Sequence, residues 1–361
     1  MDLTAAYDTV WHKGLTLKLL RAIPDRQMVR FLTNILSNRS FRMKTSDGQT
    51  SRLRHLQNGV PQGSTLAPLL FNIYISDSPA TISKQYSYAD DLALLYSNKS
   101  WINIEKTLAR DIETVAGYYE KWRLKLNMTK TTVTAFHLNN REAKRQLNVK
   151  LKETALSYSS CPTYLGVKLD RQLTFQQHLS ALSAKVASRN CLIRRLAGCK
   201  WGANAITLRT SALALVFSTA EYAAPVWSSS HHSSKVDVAI NETLRIVTGC
   251  LHPTKVDFLP VLSGIMPADL RRLEAARTLT LRATTDEAHL LHSRMDCLQC
   301  PPKRRLKSRR PFTALATQLS DSHFNAMETW RLRWEGITKP PWTIIPAEAG
   351  LPPGAHLPRK E

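Results

Sequence analysis

The apolar positions give the chain its first outline. Leu15, Leu17, Leu19 and Leu20 follow a short strand and turn that start at Asp2, and they predict an amphipathic helix ending near residue 20. Met28, Phe31, Leu32, Ile35 and Leu36 recur at helical spacing and predict a second helix over residues 25–37. Residues 41–56 alternate loosely around Asp47-Gly48, a hairpin signal. The loop Asn58-Gly-Val-Pro-Gln-Gly-Ser64 comes next. An apolar helix over residues 66–75 follows, with Ser64 or Thr65 as its N-cap. Tyr86 and Tyr88 before Asp90-Asp91, and Leu92, Leu94, Leu95 and Tyr96 after, predict a β-hairpin with an acidic tip. Ile104, Leu108, Ile112, Val115 and Tyr119 mark one face of a long helix over residues 101–122, and residues 130–136 read as a strand. This order predicts an α+β unit, an antiparallel sheet with helices on one face.

The character changes after a short strand pair at Tyr164-Leu-Gly-Val-Lys-Leu-Asp170. Residues 174–197, 203–227, 236–248 and 268–284 all read as helices, so the second half is nearly all α. Lys303-Arg-Arg-Leu-Lys-Ser-Arg-Arg310 reads as a basic linker, and the Pro- and Gly-rich residues 346–361 as an irregular tail.

Charge narrows the partners. Lys and Arg number 50 against 28 Asp and Glu, a net +22, which points to a polyanion: nucleic acid or an anionic surface. No run of eighteen apolar residues predicts a membrane span, and no signal peptide is recognisable. The six cysteines form no disulfide framework and suit a reducing compartment. Cys191, Cys199 and Cys250 are expected to pack between helices, and His231-His232 to lie in a turn. Cys297-Leu-Gln-Cys300 has the spacing of half a zinc site, but only His323 follows it, so no structural zinc is expected.

The acidic hairpin carries the candidate chemistry. Two adjacent carboxylates against an apolar sheet repel each other and favour a proton or a hard cation such as Mg²⁺. Asp2, on a strand of its own, would complete a site in which carboxylates from separate strands converge on two metal ions. In the loop, Gly63 allows close backbone approach, Pro61 stiffens the turn, and Gln62 offers a donor and an acceptor to a base or sugar edge. Each feature alone also has a plain structural reading, an acidic turn or a turn before a helix.

In combination they resemble a family. Asp2-x-x-x-Ala6-Tyr7-Asp8, then Asn58-Gly-Val-Pro-Gln-Gly-Ser-x-Leu-Ala-Pro-Leu-Leu-Phe-Asn-Ile-Tyr74, then Tyr88-Ala-Asp-Asp91 occur in the order of reverse-transcriptase palm motifs. Trp122-x-x-Lys-Leu-Asn127-x-x-Lys130-Thr131, Pro162-Thr-Tyr-Leu-Gly-Val-Lys-Leu-Asp170, Leu173-Thr-Phe-x-x-His-Leu179 and Glu221-Tyr-Ala-Ala-Pro-Val-Trp227 follow in order. The set resembles the reverse transcriptase of non-LTR (LINE, jockey-type) retrotransposons over residues 1–250, and more loosely beyond. The resemblance implies a right-hand polymerase palm over residues 1–160, a primer-grip hairpin and all-α thumb over 161–230, and a helical post-thumb region over 231–361. It implies Asp2, Asp90 and Asp91 as ligands of two Mg²⁺ ions (Mn²⁺ as a substitute), and the Leu3 backbone as a support for the triphosphate. Tyr7 becomes the aromatic gate that crowds a sugar 2′-OH, where most relatives have Phe and Tyr fills similar space. Gln62 and Gly63 would contact nucleotide and template. Lys130 would donate a proton to pyrophosphate, although the residue also reads as a solvated lysine before a strand. The turn Tyr164-Leu165-Gly166 would grip the primer. Asp8 lies beyond the metals and suits a helix start or ion pair.

Implied partners are an RNA template drawn from a retrotransposon RNA, a DNA primer and deoxynucleoside triphosphates, in an intracellular setting of cytoplasm and nucleus. The family's fingers, which precede the first aspartate, have no counterpart before Asp2, and both ends read as cut. An N-terminally truncated fragment is therefore expected, binding RNA–DNA hybrids weakly with negligible extension. The rival expectation is an inactive or co-opted hybrid-binding scaffold.

Overall fold

The computed structural model describes residues 1–198, 202–295 and 324–338, with Phe312, Leu315, Ala316 and Leu319 between the last two stretches. The basic run at 303–310, Cys199, the Cys297–Cys300 pair, His323 and the tail at 346–361 lie outside the described residues. The chain divides into two compact units, Met1–Leu165 and Gly166–Glu361.

The first unit begins with a short extended segment, then α1 (Ala6–Thr9), α2 (His12–Ala22) and α3 (Arg26–Leu36). Asp25 caps α3 through its carboxylate, which accepts the Gln27 and Met28 N–H groups. Val29, Leu32 and Leu36 are the buried face of α3, whereas Met28, Phe31 and Ile35 remain exposed. The predicted hairpin forms: β1 (Ser40–Phe41) pairs with β2 (Arg54–His55), and Gly48 takes φ 85 at its turn. Helix α4 (Ala67–Ile75) starts one or two residues later than predicted. Its N-cap is Leu66 without a side-chain cap; Pro68 in the first turn needs no N–H partner, and the Ser64 hydroxyl accepts only from Leu66 N–H, at 3.3 Å.

Strands β3 (Lys84–Tyr88) and β4 (Asp91–Leu95) form the acidic hairpin, with Tyr88 opposite Asp91. Helix α5 (Trp101–Lys121) is the spine of this unit. Its Val115 and Tyr119 join a core with Leu3, Leu15, Leu19, Phe71, Tyr74 and Trp122, while Ile104, Leu108 and Ile112 join a second core with Val133, Ala135 and Val149. Among the described residues the predicted antiparallel pairing is present in short stretches rather than as one broad sheet. The strands fall into short pairs, and β5 (Thr132–Val133) runs parallel to Ser157–Tyr158. The strand predicted over 130–136 thus shrinks to two residues. Its first part is used instead by a turn in which Thr131 N–H and hydroxyl both bond to the Asn127 carbonyl.

The second unit is built on helices Gln176–Leu196 and Ser234–Thr248, packed around Leu179, Val186, Ile193, Ile240 and Leu244. Their contact contains a buried polar group, Asn190, which donates to Ala239 O at 2.9 Å and accepts from Thr243 Oγ1 at 2.7 Å. The helix predicted over 203–227 is broken. Ala205–Ala212 runs into a π-helical stretch, Leu213–Phe217, and a new turn starts at Ala224–Trp227 after Ala223 at φ 52. Pro225 explains the restart, since a proline inside a helix removes a hydrogen bond and clashes with the preceding turn. Trp227 is fully buried. Cys250 is half-buried against this core, but Cys191 is exposed, contrary to its expected packing role. His231 and His232 lie in a turn as predicted. No helix among the described residues is long and apolar enough to cross a membrane.

Candidate active site

The site starts from a pair of main-chain bonds. The Met1 ammonium donates to Leu92 O at 2.7 Å, and Leu92 N–H donates back to Met1 O at 3.1 Å. Reciprocal exchange of this kind defines directly opposed residues on antiparallel strands. Asp2 therefore stands opposite Asp91, on the same face, where such partners have Cβ atoms roughly 5 Å apart. On its other side the segment bridges Leu3 to Leu126, with Thr4 N–H to Lys125 O and Asn127 N–H to Asp2 O, both 2.8 Å. Side-chain alternation agrees: Leu3 and Leu92 are buried and their aspartate neighbours are not. The Leu3 N–H makes no main-chain hydrogen bond among the described residues.

Asp90 occupies the hairpin tip. Ala89 and Asp90 form a two-residue turn, with positive φ (50°) at Ala89 alone. That is the sign pattern of a type II′ turn, whose first position favours glycine. An alanine there costs about 1–2 kcal/mol, strain that the paired strands on either side must hold.

Two neighbouring carboxylates act on Asp91. Burial, then the charges of Asp90 and Asp2, push the Asp91 carboxyl above its ordinary value, against the pull of the Met1 ammonium. Lys130 Nζ lies 3.4 Å from Asp2 Oδ2. Tyr7 stacks on Phe71, centroids 4.7 Å apart and planes 21° from parallel, and burial followed by the Asp90 charge raises its hydroxyl's pKa. Tyr164 donates from its hydroxyl to Tyr86 O at 3.2 Å, and burial and then Asp91 raise its pKa. Leu165 and Gly166 take φ 45 and 77, the signs of a type I′ turn. Asp8 lies in the first turn of α1 and accepts a hydrogen bond from the Gln62 amide at 3.3 Å.

The loop before α4 is tied to the residues after Asp2. Val60 N–H donates to Tyr7 O and Gly59 N–H to Val10 O, both at 2.8 Å. Gly59 has φ 86, and a Cβ on it would come within 2.8 Å of Asp8 O, so only glycine lets the strands close. Gly63, at φ 88, faces open space. Asp2, Asp90, Asp91, Tyr7, Gln62, Lys130 and Tyr164 are thus placed in one neighbourhood by contacts within the first unit.

Three oxygen-donor carboxylates, two of whose charges raise the proton affinity of Asp91, have the chemistry a hard divalent cation takes. Among the described residues, no three Asp, Glu, His or Cys side chains close on a common point. The donor set fits such an ion in kind, and Lys130 already supplies one positive charge at Asp2.

Residues 1–169 match the family model described as reverse transcriptase (RNA-dependent DNA polymerase). The chain is 30% identical over 264 residues to the probable RNA-directed DNA polymerase from transposon BS of Drosophila melanogaster. It is also 30% identical over 268 residues to the RNA-directed DNA polymerase from mobile element jockey of the same fly. Each match covers 69% of this chain and 28% of the relative, so the chain spans less than a third of those proteins. The matched region is a reverse transcriptase domain similar to those of non-LTR retrotransposons, the family its motifs resemble.

Two residues that the sequence did not single out hold the Gln62 loop. His12 Nε2 lies 2.8 Å from Gly59 O, and the Arg39 guanidinium donates to the same carbonyl and to Asn58 O. Nothing in their spacing marks them; the only hint is that His12 lies within one helical turn after the first motif, which ends at Asp8. His12→Ala is expected to speed amide exchange at Gly59 and Val60 by about tenfold, since one loop clamp is lost, with exchange in α5 unchanged. Mass-spectrometric hydrogen exchange checks this, and unaltered loop protection would show that Arg39 suffices.

Proposed function

We propose that this domain performs RNA-directed DNA synthesis by nucleotidyl transfer, with residues 1–160 as palm, 161–230 as primer grip and thumb, and 231–361 as post-thumb. The observation that carries this reading is the Met1–Leu92 pairing, which puts Asp2 opposite Asp91 and beside Asp90. Asp2, Asp90 and Asp91 would hold two Mg²⁺ ions, or Mn²⁺ in their place. Ions so bound would supply positive charge that activates a primer 3′-hydroxyl and steadies departing pyrophosphate.

The chain's own groups do the rest. Tyr7, backed by Phe71, crowds the sugar edge and favours a deoxynucleotide. Gln62 and Gly63, on a loop pinned to Tyr7 and Val10, orient the nucleotide and template, and the Leu3 N–H offers a donor to a phosphate oxygen. Lys130 holds a proton next to Asp2 that can pass to pyrophosphate. Tyr164, Leu165 and Gly166 seat the primer terminus. The net charge of +22 serves the phosphate backbones of template and primer.

The test is twofold. Fluorescence anisotropy with an RNA–DNA hybrid is expected to show affinity that falls steeply and linearly with log salt, roughly 0.9 per neutralised phosphate. Electron paramagnetic resonance of Mn²⁺ is expected to show binding weakened at least about tenfold by Asp90→Asn. Mn²⁺ retained in full by Asp90→Asn would rule out the proposed site. Hybrid binding without any such metal would favour a scaffold.

A further inference from the structure

We propose that Asn127 is a positioning residue that sets the Lys130 ammonium on the Asp2 carboxylate, so that lysine and metal compete for Asp2. The inference rests on Asp2 being a metal ligand. Among the described residues, Asn127 is the one bonded to both partners. Its main-chain N–H donates to Asp2 O at 2.8 Å, fixing the carboxylate's strand. Its side-chain Oδ1 accepts the Lys130 N–H at 3.2 Å and the Thr129 hydroxyl at 2.8 Å. Its carbonyl accepts the Thr131 N–H at 3.0 Å and the Thr131 hydroxyl at 2.8 Å.

These bonds close a turn of five residues whose far end is anchored, because Thr131 is only 1% exposed. The Lys130 side chain is 71% exposed. A long, solvated lysine has many rotamers and is not held by a surface ion pair alone. What brings its Nζ to 3.4 Å from Asp2 Oδ2 is the direction in which the turn launches it. An asparagine suits this place because its side chain mimics a main-chain carbonyl two or three residues on. Alanine would leave the Lys130 N–H without that acceptor and let the turn open.

The consequence runs against the usual expectation for a residue at a metal site. Lys130 sits where a divalent ion would bind Asp2, so loosening it strengthens metal binding. With an ion on Asp2, the Lys130 ammonium, still tethered nearby, would be free to meet a phosphate group.

Mn²⁺ titrations followed by electron paramagnetic resonance test this on the purified chain. Lys130→Ala is expected to bind Mn²⁺ roughly 3–10-fold tighter, the scale of one partly screened charge. Asn127→Ala is expected to tighten binding in the same direction, and the double variant to equal Lys130→Ala alone. Asn127→Ser, which keeps an oxygen acceptor, is expected to return toward wild type. A purely structural role predicts weaker binding instead. Weaker binding in Asn127→Ala, or gains that simply add in the double variant, would overturn the proposal. If Asp2→Asn leaves Mn²⁺ binding unaltered, the metal-site reading itself fails. Amide exchange then decides the positioning claim: Lys130 N–H should exchange about tenfold faster in Asn127→Ala, with α5 unaffected, and unchanged exchange would overturn it.

Discussion

Asp91→Asn is expected to abolish Mn²⁺-dependent stabilisation and at the same time to raise the melting temperature of the metal-free protein at pH 7. The two effects share one cause. In the fold, burial and the charges of Asp90 and Asp2 hold the Asp91 carboxyl above the ordinary 3.8. The folded chain therefore binds a proton more readily than the unfolded chain between 3.8 and the raised value. Stability falls as pH rises through that interval, and above it the repulsion is present in full. An amide removes the repulsion, a gain of about 1 kcal/mol, or roughly 2–4 °C for a unit of this size. Wild type should recover more than this when loaded, since ligand at 100 times its dissociation constant adds about 2.7 kcal/mol. Thermal melts from pH 4 to 8, with and without Mn²⁺, check both halves. A variant that melts lower than wild type at pH 7 without metal, or that keeps the Mn²⁺ shift, contradicts the carboxylate crowding described above.

The second large effect is structural. Lys18 is 4% exposed, yet charged. Its ammonium donates to Tyr74 O, to the Asp77 carboxylate and to Tyr118 Oη at 2.8 Å, and lies 3.7 Å from the Trp122 ring centroid. Burial lowers its pKa below 10.5 in spite of Asp77. On Asp77, burial pulls upward but the hydrogen bonds from Lys18 and Tyr118 outweigh it, and the carboxyl falls below 3.8. Burial thus costs the Lys18 ammonium more than its partner returns, while the half-exposed Asp77 carboxylate gains from the contact. Lys18→Ala is expected to cost about 3 kcal/mol, from a cavity among three aromatic rings and from polar groups left unpaired. The loss stays at the lower end because Asp77 is 45% exposed and can return to water. Lys18→Met should recover more than half, since it refills the aromatic box without a charge. As pH rises from the lowered pKa toward 10.5, wild type should gain stability, because the unfolded lysine still holds the proton that the folded one has lost. Urea titrations of the three proteins measure this. Equal losses for Ala and Met would mean that the charge, not the packing, holds the site.

Much of the first unit was legible because its signals are local. The five apolar positions of α5 are all buried, and the hairpins at Asp47-Gly48 and Asp90-Asp91 form where turn chemistry put them. Hydrophobic spacing predicted the second helix but not its covered face. Met28, Phe31 and Ile35 keep helical period but face outward, since period alone does not say which side of a helix is covered. The helix expected over 203–227 stops before Pro225, which opens a new turn instead, a break that the spacing of apolar positions does not register. Parallel pairing of Thr132–Val133 with Ser157–Tyr158 could not be read at all, because non-local register leaves no mark in either strand. At the site, the acidic residues, Gln62 and Lys130 were found through motif order. His12 and Arg39 were not, because their work is done on a main-chain carbonyl, and a carbonyl has no residue type to pattern against.

The Asp2 segment has a further consequence, in time rather than in space. Its two pairings reach Leu92, 91 residues away, and Leu126, farther still. The helices Gln176–Leu196 and Ser234–Thr248 hold together through nearer contacts and hydrogen bonds within each helix. Distant pairings pay a larger loop-closure entropy and form late in folding. The carboxylate face is therefore expected to be among the last parts of its unit to assemble, after α5 and the acidic hairpin exist. During refolding, affinity for divalent metal should then appear only after most helical signal has returned.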